Sequence, residues 1–103
     1  MANRIDLRFD NTITGLAGYQ YGKKVFEEQV KKQIDYENEK IILWFPDNIR
    51  RMASSFIQGF FEDIVKNIGL EGIEKRMEII SGKDEDLKKM VISNLLWGKK
   101  NGC

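Results

Sequence analysis

Apolar and polar residues alternate at the start of the chain. Ile5, Leu7 and Phe9 interleave with Arg4, Asp6, Arg8 and Asp10, and a period of two predicts a strand with one face buried and one in water. Asn11–Gly22 interrupts the pattern. It holds Gly15, Gly18 and Gly22 and predicts a loop, with a short extended piece at Thr12-Ile13-Thr14. From about Tyr21 to Tyr36 the period lengthens. Phe26, Val30 and Ile34 recur every fourth residue with Val25 beside them, while Lys23, Lys24, Glu27, Glu28, Lys31 and Lys32 face the other way. This is an amphipathic helix, and its Glu27–Lys31 and Glu28–Lys32 pairs each stabilise it by about 0.2–0.5 kcal/mol.

Lys40-Ile41-Ile42-Leu43-Trp44-Phe45-Pro46 is a short apolar run, rich in β-branched and aromatic residues, that ends at the chain's single proline. It predicts a strand covered on both faces at the centre of a parallel sheet, and Pro46-Asp47-Asn48 predicts a turn. Ser54–Ile68 carries a broad apolar stripe of Phe56, Ile57, Phe60, Phe61, Ile64, Val65 and Ile68. Gly69 stands where a glycine ends a helix, and Leu70–Lys75 adds a short further turn. Met77, Ile79 and Ile80 predict a third strand, stopped by Ser81-Gly82. Asp84, Glu85 and Asp86 then open a last helix at its positive end, with Leu87, Met90, Val91 and Leu95 as its buried stripe and Lys99 and Lys100 past its negative end. Strand and helix alternate three times. The expected fold is a single small α/β domain over residues 1–98, a mostly parallel sheet of three to four strands with three main helices, and a frayed tail over 99–103.

Composition narrows the function. The 103 residues suit one domain, and 17 basic against 16 acidic side chains leave a charge of +1, which is not the balance of a nucleic-acid binder. The chain has no histidine and one cysteine, Cys103. This excludes imidazole acid–base chemistry, Ser-His-Asp and Cys-His pairs, an intramolecular disulfide and a Cys/His zinc site. No apolar run approaches the ~20 residues that span a bilayer, and the first residues hold no signal-peptide core. The expectation is a cytoplasmic protein that needs no cofactor and binds neither nucleic acid nor membrane.

Five features bear candidate chemistry. Ser54 and Ser55 lie at the start of the central amphipathic helix, where free N–H groups and the helix dipole favour negative charge. Two roles are open there. Ser55-Phe56-Ile57-Gln58 fits a capping box, with Ser55 at the cap and Gln58 three residues on; Ser54 fits a phosphoacceptor, because a phosphate of about −1.5 to −2 charge is tolerated at a helix start. Arg50-Arg51, directly upstream, suits pairing with a phosphate or an acidic partner. Gly15, Gly18 and Gly22 precede a helix, as a phosphate cradle would. They lack both G-x-G-x-x-G and the G-K-[ST] ending, and positive φ or close backbone packing explains them better. Asp84-Glu85-Asp86 has no calcium-loop spacing, and helix-start chemistry accounts for it without a metal. Phe56 and Phe60 sit on a stripe wider than three strands easily cover, so they are the positions expected to stay exposed as a docking patch.

The order of these segments resembles the STAS domains of bacterial anti-sigma-factor antagonists and, more closely, a STAS-like family of unknown function. The glycine loop into a helix over Gly15–Val30, the strand Lys40–Phe45 followed by Ser54-Ser55-Phe56, and Arg76-Met77-Glu78-Ile79-Ile80 before a last helix carry the likeness. Antagonists hold an Asp-Ser-(Ser/Thr)-Gly motif at this place, and Ser54 matches its phosphoacceptor. Ala53 stands where those proteins have Asp, and Phe56 where they have Gly. The resemblance implies a non-catalytic regulatory module that binds a histidine-kinase-like ATPase or a related signalling protein and is switched by phosphorylation at Ser54. A small nucleotide- or ligand-binding domain using Gly15–Gly22, or a self-associating homodimer, are the alternative readings.

Overall fold

The computed structural model describes residues 2–81 and 87–100, the last four by backbone alone. Three strands, β1 (Asn3–Asp6), β3 (Ile41–Phe45) and β5 (Met77–Ser81), pair in the order β1-β3-β5, and both pairings are parallel. The register aligns Ile5 with Leu43 and Ile79, so one row of side chains crosses the sheet on its inner face. A second, two-residue ladder joins β2 (Gly15–Leu16) to β4 (Arg51–Met52), again in parallel. Both segments are too short to show a period in sequence. Helix α1 (Tyr19–Val25) continues into a π-helical turn at Phe26–Val30; α2 spans Ser54–Arg76 and α3 spans Leu87–Lys100. The mostly parallel α/β architecture agrees with the alternation of periods along the chain.

The core explains the arrangement. Ile5, Ile41, Leu43, Phe45, Met77 and Ile79 line the inner face of the sheet and are buried. Phe56, Ile57, Phe60, Phe61, Ile64 and Ile73 of α2 meet them, with Val25, Phe26 and Val30 on one side and Leu87, Val91 and Leu95 on the other. Phe60 is the hub, with ring centroids 5.9 Å from Phe26, 5.8 Å from Phe45, 5.5 Å from Phe56 and 4.9 Å from Phe61. The expectation that Phe56 and Phe60 form an exposed patch is therefore wrong. Both are 0% exposed. The sheet is not the only surface they pack on: α2 lies between α1 and α3, and a helix covered from several sides needs a wide apolar stripe.

The outer face of the sheet also departs from expectation. Ile42 and Trp44 of β3 are half-buried rather than buried, and their neighbours across the register are Arg4 and Glu78, and Asp6 and Ile80. The Arg4 guanidinium lies 5.1 Å from the Trp44 ring centroid, and Lys40 pairs with Glu78 at 3.0 Å. The apolar run of β3 thus serves a covered inner face and an outer face screened by long charged side chains.

Helix ends are set by tertiary bonds as much as by local signals. The first helix, expected to reach Tyr36, stops at Val30. Asn3 holds the chain beyond it, its side-chain amide donating to the Gln33 carbonyl at 3.1 Å and accepting from the Asp35 N–H at 2.8 Å. Gln29 likewise clasps the backbone of Arg8 through two bonds of 2.7 and 2.8 Å. Gly69 breaks α2 as expected, with φ 70° and ψ 174°, a region open essentially to glycine alone. Helix α3 runs to Lys100, two residues into the segment expected to be a tail. The acidic run 84–86, Gly82 and residues 101–103 lie outside the described residues. Among the described residues, no helix is long and apolar enough to cross a membrane.

One ionisable group is set deep enough to report on folding. Tyr36 donates its hydroxyl to Asp63 at 2.8 Å, and the Arg76 guanidinium donates to the carbonyls of Tyr36 and Asn38. Burial, and then the bond to Asp63, raise the Tyr36 phenol above its ordinary value near 10. A raised folded-state pKa favours the folded state below the unfolded value and loses that contribution as pH rises above it. Wild-type stability to urea is therefore expected to fall more steeply above pH 10 than that of Tyr36→Phe, measured by denaturation midpoints on either side of that pH.

Candidate functional site

The exposed residues of interest gather on a frame made by two loops. Asn48 donates its side-chain amide to the carbonyls of Asp10 (3.1 Å) and Ile13 (2.8 Å). The N–H groups of Arg50 and Arg51 both reach the Thr14 carbonyl, at 2.7 and 3.2 Å, and Ala53 N–H donates to Leu16 at 2.8 Å. Asp10 stiffens the other loop by accepting from the Thr12 N–H and hydroxyl at 2.9 and 2.8 Å; the first of these bonds holds its carboxyl below the usual range. Residues 48–53 are thereby fixed against 10–16, by the Asn48 side chain and by the backbone of Arg50, Arg51 and Ala53. Arg50, Arg51, Ala53, Ser54 and Ser55 are all exposed, while Ile49 and Met52 turn inward.

The two serines have different partners from those the capping box implies. Helix α2 begins at Ser54, Ala53 is the residue before its first turn, and no side chain caps it. Ser55 accepts the Gly18 N–H at 3.0 Å, and Gln58 donates to the Asn94 carbonyl of α3 at 2.9 Å. The reading of Ser55 and Gln58 as reciprocal caps is replaced by two tertiary ties, one to the glycine loop and one to the last helix. Among the described residues the Ser54 hydroxyl makes no hydrogen bond, and the side chain faces water beside the helix start.

The glycines serve packing and backbone shape. Gly18 has φ 100°, and Gly15 forms the short ladder with Arg51. Gly22 lies against α2, where a Cβ would overlap the Phe56 carbonyl oxygen and stand 2.8 Å from the Phe60 nitrogen. Its counterpart on α2 is Gly59, whose Cβ would overlap the Tyr19 carbonyl oxygen. Sequence reasoning did not single out Gly59. The signal was a glycine inside the strongest helical pattern, which costs about 1 kcal/mol relative to alanine unless packing requires it. The Gly18 N–H is taken by Ser55 and the Gly22 N–H by the Gly18 carbonyl, so these donors are not turned toward a phosphate.

A second exposed cluster lies where α1 crosses α2. Tyr19 donates its hydroxyl to Glu62 at 2.6 Å, and Lys23 pairs with the other carboxylate oxygen at 3.2 Å. The hydroxyl bond, and then Lys23, hold the Glu62 carboxyl below its ordinary value, while Glu62 raises both Tyr19 and Lys23. With both signs paired in water, it reads as a surface clasp between the helices. No group of three or more His, Cys, Asp and Glu side chains among the described residues is placed to hold a metal ion.

A hollow lies at the carboxyl ends of β3 and β5. It has a volume of about 650 Å³ and is walled by Phe45, Asp47 and residues 49–52, by Ser81 at the end of β5, and by Leu87 and Met90 of α3. Arg50 and Arg51 line it as well as the exposed frame.

Parallel strands, helices packed on one face and a fixed loop leading into the central helix define a small α/β domain. The chain belongs to the family described as the STAS-like domain of unknown function (DUF4325), which matches residues 21–87. No curated protein and no solved structure matches it.

Proposed function

We propose that the protein is a non-catalytic interaction module that binds a signalling partner through the segment Arg50–Ser55, with a histidine-kinase-like ATPase as the partner class. The observation that carries this reading is the combination of exposure and rigidity. Five of these six residues face solvent, while the segment is tied to Thr14 and Leu16 through its backbone and to Gly18 through the Ser55 hydroxyl. A segment already ordered loses little conformational entropy on docking. Two guanidinium groups suit an acidic partner face, and Arg geometry favours bidentate carboxylate contacts.

Ser54 is the proposed switch. A phosphate there lies at the positive end of α2, next to N–H groups of the first turn that have no intrahelical partner, and close in sequence to Arg50 and Arg51. It leaves the core untouched, since the buried stripe begins at Phe56. It also offsets most of the positive charge that Arg50 and Arg51 offer to the partner. Mass spectrometry of protein purified from its native host tests the switch: a fraction phosphorylated at Ser54 supports it, and complete absence under every growth condition sampled removes it. Ser54→Asp is expected to melt within about 0.5 kcal/mol of wild type, as surface substitutions do, with the acidic side chain at the first turn favouring the helix.

A further inference from the structure

We propose that the hollow at the carboxyl ends of β3 and β5 is a binding site for a small amphiphilic monocarboxylate, a ligand with an apolar body and one anionic head. This inference rests on the cavity, which shares Arg50 and Arg51 with the proposed partner surface; ligand titration of the isolated chain tests it apart from partner capture. In open α/β sheets, the crevice beyond the carboxyl ends of the strands is where ligands are held. Its volume of about 650 Å³ falls within the roughly 300–1,000 Å³ range of small-molecule sites. A chain of this length has few apolar side chains to spare, and protein interiors otherwise close to high density. Here Phe45, Ile49, Met52 and Leu87 are each less than 9% exposed and yet line the hollow. Met52 and Met90 give two of its walls adaptable side chains able to fit an irregular apolar body.

The charges select the head group. Among the described residues, Arg50, Arg51 and Asp47 are the charged residues that line the cavity. The arginines stand on backbone already fixed by the Thr14 carbonyl, so little ordering remains when the ligand arrives. The planar guanidinium fork matches a carboxylate in two parallel bonds. Ser81, 9% exposed at the end of β5, adds a hydroxyl to the wall.

The test titrates the full chain with octanoate, octyl phosphate, octyl glucoside and acetate, each below its aggregation limit. Binding is followed by calorimetry and by the ¹³C methyl signals of the methionines. Saturable octanoate binding is expected, at least tenfold tighter than octyl glucoside or acetate and tighter than octyl phosphate. The Met52 and Met90 methyls should shift while Met77, buried in the sheet, stays. The Arg50→Gln, Arg51→Gln double variant should lose at least tenfold in octanoate affinity and bind octyl glucoside as wild type does. Four results would overturn the proposal: no saturable binding of octanoate, equal affinity for octyl glucoside, a double variant with unchanged octanoate affinity, or shifts confined to Met77. Tighter binding of octyl phosphate would overturn the head-group assignment.

Discussion

Gly59→Ala is expected to cost about 3 kcal/mol or more, at the upper end of overpacking effects, and to lower the melting temperature by roughly 12–24 °C for a domain of this size. The added methyl would overlap the Tyr19 carbonyl oxygen and stand 2.9 Å from the Tyr19 carbonyl carbon and 3.2 Å from the Lys23 nitrogen. All three are backbone atoms, so no rotamer change relieves the clash; the α1–α2 crossing itself must open. Because alanine is the better helix former, any loss measured at this position understates the steric cost. Gly22→Ala is expected to behave alike from the other side of the crossing. Gly15→Ala is the control, since its methyl would meet the Arg51 Cβ at an ordinary 3.8 Å. Thermal melts followed by circular dichroism decide the matter; a Gly59→Ala protein melting within a few degrees of wild type would mean that the two helices are not held this close.

Phe60→Ala carries the second large effect, about 3–5 kcal/mol by the usual cost of emptying a buried aromatic site. Against a total stability of roughly 5–15 kcal/mol, the variant should be partly unfolded at ordinary temperature. Its urea midpoint should fall sharply with little change in slope. A docking residue on the surface would behave otherwise, with stability changed by less than about 0.5 kcal/mol and partner binding lost. Phe60→Leu, which keeps most of the apolar volume, should fall between the two. The contrast discriminates because Phe60 touches four other aromatic rings inside the core and none of its surface reaches solvent.

These two residues also mark what the amino-acid sequence made legible. The alternation around Ile5 and the apolar run Ile41–Phe45 placed two strands and their parallel order, and Gly69 placed the break in α2. These are local signals with a period or a single conformational demand. Phe60 was misplaced because stripe width alone does not say how many neighbours share a helix, and α2 has α1 and α3 as well as the sheet. Ser55 and Gln58 matched a local motif, yet tertiary partners at Gly18 and Asn94 claimed both side chains. The two-residue ladder β2–β4 carries too few residues for any period. The exposed Arg50, Arg51 and Ser54 were legible from their types and position before a helix. The cavity was not, because its walls come from Phe45, Asp47, residues 49–52, Ser81, Leu87 and Met90 and meet only once the strands are ordered.

The most direct test of the central claim is affinity capture from the native host, with the wild-type chain compared against Ser54→Asp and an Arg50→Glu, Arg51→Glu double variant, all three first checked for equal melting temperature. The account predicts that wild type retains a histidine-kinase-like ATPase and that both charge-altered proteins lose it. Recovery of the same proteins in the same amounts by all three would contradict it.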